Sequence, residues 1–176
     1  FLDRANHFNP LSYLETIQAT NPCGEQTLAP GGCCNLGSIN LTQFMTEDGK
    51  FDFESLKESA KVLVRLLDNV NSVSSAPLPE YIDSMRNKRR IGVGVMGWGS
   101  LLYMMRIRFG SEKANQLRDE IMQTIALTAY EYSIDLAVEK GSFTYCNPEL
   151  HAKGNFIVRL GLSDEYMDKL RRYGIR

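Results

Sequence analysis

The chain has 176 residues, of which 43% are hydrophobic and 23% charged, with a formal net charge of −1. That size and balance describe one domain-sized unit able to bury a core. The near-neutral charge excludes a global field that would favour nucleic acid or an anionic membrane. The most apolar stretch, Ile91 to Met105, is too short to cross a bilayer and is interrupted by glycines, so it reads as buried core.

The chain opens Phe-Leu-Asp-Arg with no charged-then-apolar leader, so no signal peptide is expected. Four cysteines in such a chain point to a reducing, cytoplasmic compartment where thiols work as thiols. No repeat, low-complexity tract or linker appears, and residues 1–176 are read as a single unit. The first forty residues are poor in helix signals. The segment from Cys34 to Leu41 (CNLGSINL) reads as a short strand or extended segment, and Asp48-Gly49 supplies a turn. A helix follows, N-capped by Asp52 with Glu54 in its first turn. Its buried face is predicted to run through Leu56, Ala60, Leu63, Leu67 and Val70. It stops before APLPE, whose prolines cannot continue it.

The basic run Arg86, Lys88, Arg89 and Arg90 reads as a solvated turn before a buried segment. The stretch RRIGVGVMGWGSLLYMM then predicts a short strand running into a helix. Ser111 caps the longest helix, residues 112 to 139, reaching roughly 40 Å at 1.5 Å per residue. Its stripe is Ala114, Leu117, Ile121, Ile125, Ala129, Tyr132 and Leu136, and Gly141 suits the position past its end. A last short helix starts at Ser163 and ends at Gly174. Helices dominate, with extended segments beside the candidate chemistry, which gives an α/β or α+β class.

Gly92, Gly94 and Gly97 satisfy G-x-G-x-x-G, but one apolar residue precedes them and Asp119 falls inside the long helix. Close backbone packing is therefore the better account than a dinucleotide site. Cys23, Cys33, Cys34 and Cys146 contain no C-x-x-C pair, and His7 and His151 show no ligand spacing, so no metal site is expected.

The pattern Asn21-Pro22-Cys23-Gly24-Glu25 stands out. In an extended segment Asn21, Cys23 and Glu25 would share one face, about 6.5 Å apart, at a rise of about 3.3 Å per residue. Pro22 and Gly24 would shape the backbone between them. A sulfur can exchange a hydrogen atom, a carboxylate can take a proton, and an amide can hold a hydroxyl. Spacing alone leaves open whether this is a substrate site or a polar loop with a thiol in it.

The longer segment ATNPCGEQTLAPGGCCNLGSINL resembles the active-site loop of the ribonucleotide reductase large chain. The Pro and Gly within the motif resemble the adenosylcobalamin-dependent (class II) branch. RRIGVGVMGWGSLL and KGSFTYCNPELHAKGNFIVRLGL with YGIR follow in the family's order, so the likeness covers nearly the whole chain.

The resemblance implies a ten-stranded α/β barrel with a central finger loop near residues 19–34. It implies reduction of ribonucleotides to deoxyribonucleotides by a thiyl radical. Cys23 would carry that radical, generated when the cobalt–carbon bond of adenosylcobalamin breaks, and would abstract the ribose 3′ hydrogen. Glu25 would take the 3′-hydroxyl proton, and Asn21 would hold the sugar hydroxyls. Residues 21–25 as a group, Pro22 and Gly24 included, would bind the ribonucleotide. Cys34 would be half of a redox disulfide whose partner lies outside this chain.

The same likeness implies thioredoxin or a similar dithiol as reductant, deoxynucleotide effectors and a homodimeric full-length enzyme. Cys33 stands where the family usually has a smaller residue and reads as a buried filler; Cys146 reads as structural. The missing upstream cysteine and downstream phosphate loop lead to the expectation of an internal fragment, one partial domain. The alternatives are a class I large chain dependent on a separate radical subunit, or an inactive remnant.

Overall fold

The computed structural model describes residues 2–176. A short helix α1 (Leu2–His7) is followed by a small antiparallel hairpin, β1 (Ala19–Thr20) and β2 (Thr27–Leu28). Strand β3 (Asn35–Asn40) leads through a 3-10 turn (Leu41–Phe44) into α2 (Phe53–Val73). Helix α3 (Pro79–Asp83) and a π-helical turn (Ser84–Lys88) return the chain to β4 (Ile91–Met96). Then come α4 (Trp98–Met104), α5 (Glu112–Lys140), α6 (Pro148–Ala152), α7 (Asn155–Leu160) and α8 (Asp164–Tyr173).

β3 and β4 are parallel, Asn35 opposite Ile91 through Asn40 opposite Met96, with α2 as the crossover. The class is therefore α/β, helix-rich, with two separate two-stranded sheets and no closed barrel among the described residues.

The helix signals act as anticipated where a cap defines them. Asp52 accepts from the Ser55 N–H at 3.0 Å, Ser111 from Ala114 N–H at 3.2 Å and Ser163 from Tyr166 N–H at 3.4 Å. Gly141 ends α5, giving 29 residues, and Gly174 ends α8. Helix α1 was not foreseen. It is latched from outside itself: Asn6 donates to the Ile17 carbonyl at 2.9 Å and accepts from Ile17 N–H at 2.8 Å.

The buried face of α2 differs from the predicted stripe in its second half. Leu56, Ala60 and Leu67 are buried, but Val64 takes the central place, and Asp68 and Asn71 follow where Val70 was expected. Leu63 instead leans on β3 at Gly37, where a Cβ would lie 2.5 Å from Leu63 Cδ1 and displace that side chain. Successive four-residue steps drift around a 3.6-residue helix, so the buried face rotates toward the strand starts.

Helix α5 serves two large cores, and its Ala114 joins Leu102 and Ile107 in a third, smaller cluster. Ile121 and Ile125 join Ile39, Leu56, Ala60 and Leu101 beneath the parallel pair. Ile134 joins Leu11, Phe143, Ile157, Leu170 and Ile175 under the C-terminal helices. Two differently directed partners explain why one straight stripe does not describe it.

The basic run is not a solvated turn. Lys88 closes the π-helical turn, and Arg89, at φ +53°, is only 7% exposed. Its guanidinium donates to Asp68 Oδ1 from Nε at 2.9 Å and Nη2 at 2.6 Å, with Nη2 also reaching the Asp68 carbonyl and Ser72 Oγ. Arg176 and Lys140 bind the same carboxylate. Lys88 and Arg90 both donate to Glu15. A left-handed non-glycine residue costs of order 1–3 kcal/mol, and this dense set of bonds over-determines it. The partners lie dozens of residues away, so no local reading of the run could supply them.

Candidate functional site

The two faces of the parallel pair differ. Asn35, Gly37 and Ile39, with Ile91, Val93 and Val95, point toward the helices by strand alternation, and Ile39, Val93 and Val95 join the core there. The opposite face carries Leu36 and Ser38 beside Gly92, Gly94 and Met96, and it is open: Leu36 and Met96 are 50% and 55% exposed. Gly92 and Gly94 of the motif lie along this face, while Gly97 caps α4 beyond the strand at φ +80°. A Cβ at Gly92 would fall 2.2 Å from Leu36 Cδ2, 2.7 Å from Gln26 Nε2 and 3.4 Å from Cys34 Sγ. Close packing is thus what the G-x-G pattern serves, and Asp119 sits within α5, ion-paired to Arg118.

Gln26 belongs to the loop that crosses this face. β1 and β2 pair Ala19 with Leu28 and Thr20 with Thr27, and Asn21 N–H to the Gln26 carbonyl at 3.1 Å extends the ladder. Residues 21–25 are not extended, contrary to the alternation argument. Gly24 N–H donates to the Asn21 carbonyl at 3.0 Å, closing a β-turn with Pro22 at the position its fixed φ favours. Gly24 has φ +81° and open space around it, so glycine is needed here for backbone conformation.

The turn joins the ends of the motif directly. Asn21 Oδ1 accepts from Gly24 N–H at 3.2 Å and Gln26 N–H at 3.1 Å, while its Nδ2 donates to Glu25 Oε1. One amide therefore orders the turn and holds the carboxylate. Cys23, between them, is an exposed free thiol at the tip.

Cys34 lies at the start of β3, half-buried, with its sulfur over Gly92 beside Gln26. Burial pushes its thiol up to about 11, opposed by the Arg90 cation and reinforced by Glu25 and Cys33. Loop and thiol are thus within electrostatic reach on one face. Cys33 is half-buried, its thiol raised by burial and its N–H bonded to Ser84 Oγ at 3.2 Å. Cys146, also half-buried, packs against the C-terminal core.

Gln26, Gly92, Asn71 and Arg90 were missed as site residues by sequence reasoning. Gly92 carried a signal, a glycine within a strand; the others carried none.

A fit for adenosylcobalamin can be tested on these residues. The exposed Cys23 thiol is open to a large group. A cavity of about 360 Å³ runs beside β4, lined by Gln26 and Arg90 as well as by Ile91, Val93, Ile125 and Ala129, and Cys23 is not among its lining residues. No cluster of three or more His, Cys, Asp or Glu side chains capable of holding a metal occurs among the described residues. These residues do not form a holder for the group.

The result is a β-α-β layer with one face sealed by helices and a thiol-bearing loop over the other. The chain belongs to the ribonucleotide reductase barrel-domain family, whose profile matches residues 1–173. It is 46% identical over 143 residues to a vitamin B12-dependent ribonucleoside-diphosphate reductase of Mycobacterium tuberculosis, covering 81% of this chain and 20% of that protein. The like-named protein of Thermoplasma acidophilum is 38% identical, covering 81% of this chain and 19% of that protein. A ribonucleoside-diphosphate reductase large chain of Encephalitozoon cuniculi is 30% identical, covering 100% of this chain and 24% of that protein. The chain thus spans about a fifth of the length of these relatives.

Proposed function

We propose that the complete protein carrying this segment reduces ribonucleotides to deoxyribonucleotides by thiyl-radical chemistry, with residues 21–25 and Cys34 as the reacting part of its site. One observation carries the reading: Asn21 orders the turn and holds Glu25 beside an exposed Cys23, over the face that bears Cys34.

In this reading Cys23, once its hydrogen atom has been removed by the enzyme's radical source, takes the ribose 3′ hydrogen. Glu25 accepts the 3′-hydroxyl proton, and the 2′-hydroxyl leaves as water. Asn21 positions Glu25 and the sugar hydroxyls, while Pro22 and Gly24 shape the turn that binds the substrate. Two thiols, one of them Cys34, supply two electrons and become a disulfide, and Cys23 returns the hydrogen to carbon 3′. The balance is ribonucleotide plus dithiol giving deoxyribonucleotide, disulfide and water.

β3 and β4 would be two neighbouring strands of a ten-stranded barrel, with the open face turned inward around the finger loop. The B12-dependent names of the 46% and 38% relatives favour adenosylcobalamin over a separate radical subunit. Re-reduction by thioredoxin or a similar dithiol, deoxynucleotide effectors and a homodimer follow from the family likeness. A cytoplasmic setting fits the four free thiols, and no helix among the described residues is long and apolar enough to cross a membrane.

The test is Cys23→Ser in the complete enzyme, supplied with ribonucleotide, adenosylcobalamin and a dithiol. Loss of turnover together with the thiyl-coupled paramagnetic signal is expected. Undiminished turnover would overturn the assignment.

A further inference from the structure

Cys34 and Arg90 hold equivalent places, each the residue before its strand. The register sets Asn35 opposite Ile91, so Arg90 is the cross-strand neighbour of Cys34, with backbones about 4.8 Å apart. The Cys34 sulfur lies over Gly92 beside Gln26, and Gln26 and Arg90 line one cavity at this end of β4. From the helix side a single residue of α2 fixes both strand starts. Asn71 Oδ1 accepts from Asn35 Nδ2 at 2.9 Å, and its Nδ2 donates to the Arg90 carbonyl at 3.4 Å. The guanidinium is tethered to Glu15, a carboxylate 5% exposed that also takes Lys88 at 2.7 Å.

We propose that Arg90, tethered by Glu15, is a positioning residue that sets how readily the Cys34 thiol ionises and enters thiol–disulfide exchange. The charges facing the sulfur are few. Arg90 favours the thiolate; Glu25 from the loop and the neighbouring Cys33 oppose it, as does burial. Glu15 fixes the cation and partly neutralises it. During re-reduction, a thiolate of the dithiol reductant attacks the sulfur bonded to Cys34. A new disulfide forms to that sulfur, the old bond breaks, and Cys34 departs as a thiolate beside Arg90 until it takes a proton. A leaving thiol that ionises more easily departs faster. The biological meaning rests on Cys34 being a redox thiol, but the charge relation belongs to this chain whatever its role.

The experiment is the rate of iodoacetamide alkylation at Cys34 and Cys146 in the complete protein, read by peptide mass spectrometry from neutral to alkaline pH. Arg90→Gln should slow Cys34 about tenfold, the low end of what a nearby opposite charge does to ionisation, and Arg90→Lys should recover most of the rate. Glu15→Gln should speed Cys34, since the cation loses its counter-charge. Cys146 should keep its rate throughout. Mere loosening would expose the sulfur and speed Cys34 in both Arg90→Gln and Glu15→Gln; that result, or an unchanged rate in Arg90→Gln, overturns the proposal. Cys34→Ser separates it from the functional reading. Full turnover of that variant in the complete enzyme would end the redox role while leaving the alkylation result standing.

Discussion

Replacing Asp68 by alanine strands three cations at once. Oδ1 accepts from Arg89 at 2.6 and 2.9 Å and from Arg176 at 3.0 Å, and Oδ2 from Lys140 at 3.3 Å. The Asp68 and Arg89 side chains are 5% and 6% exposed, so water cannot replace the lost partner. Breaking a buried pair from one side costs about 3–5 kcal/mol. The lower part of that range applies, because Arg89 Nη2 keeps the Asp68 carbonyl at 2.7 Å and Ser72 Oγ at 2.8 Å.

A loss of about 3 kcal/mol at neutral pH is therefore expected, and a fall in Tm of about 10 °C for a chain of this size. Calorimetry and urea melts measure both. Burial raises the Asp68 carboxyl, but the bond and charge of Arg89, with Arg176 and Lys140, outweigh it and leave it below the ordinary range. Its contribution is thus present above the unfolded aspartate range and lost as pH falls through the lower folded value. Asp68→Asn, which cannot titrate, should flatten that part of the acid limb. A loss under about 1 kcal/mol in Asp68→Ala would refute the view that this network holds the strand starts, since it would place the pair among surface bridges.

His151 is 3% exposed, neither ring nitrogen has a partner among the described residues, and burial lowers it from 6.5 to about 4. At about 1.4 kcal/mol per unit the fold should lose about 3 kcal/mol between pH 6.5 and 4, as the unfolded chain takes the proton first. Urea melts of His151→Phe should lack that loss. Gly92→Val drives side-chain atoms into Leu36, Gln26 and Cys34; turnover of the complete enzyme should fall far more than the 1–3 kcal/mol of stability that overpacking costs. Asn21→Ala removes the acceptor of two loop N–H groups and the donor to Glu25. Hydrogen exchange at Gln26 should quicken while global stability shifts by under about 1 kcal/mol, because the loop is exposed.

Local chemistry made much of this protein legible. Asp52, Ser111 and Ser163 each declare a helix start through a short-range side-chain bond, and Gly141 and Gly174 declare the ends. The β3 and β4 segments were legible as short apolar runs, and Gly92 as a place of close approach. Type and spacing single out the motif residues, and their roles come only from the family resemblance; the extended backbone expected of them is replaced by a turn. Asn21 and Glu25 meet because Asn21–Gly24 is a turn closed by one hydrogen bond, whereas strand alternation had been invoked.

What the sequence determined by itself is the set of interactions that close within a few residues: caps, turns, strand and helix periods, and the chemical types in the loop. The tertiary structure alone decided which distant groups share a buried place. Arg89 became a core residue because Asp68 and Arg176 arrive beside it; Asn35 stands opposite Ile91 because α2 brings β4 parallel to β3. Such pairings depend on chain closure over tens of residues, and a charge or a thiol carries no local mark of the partner that closure will bring to it.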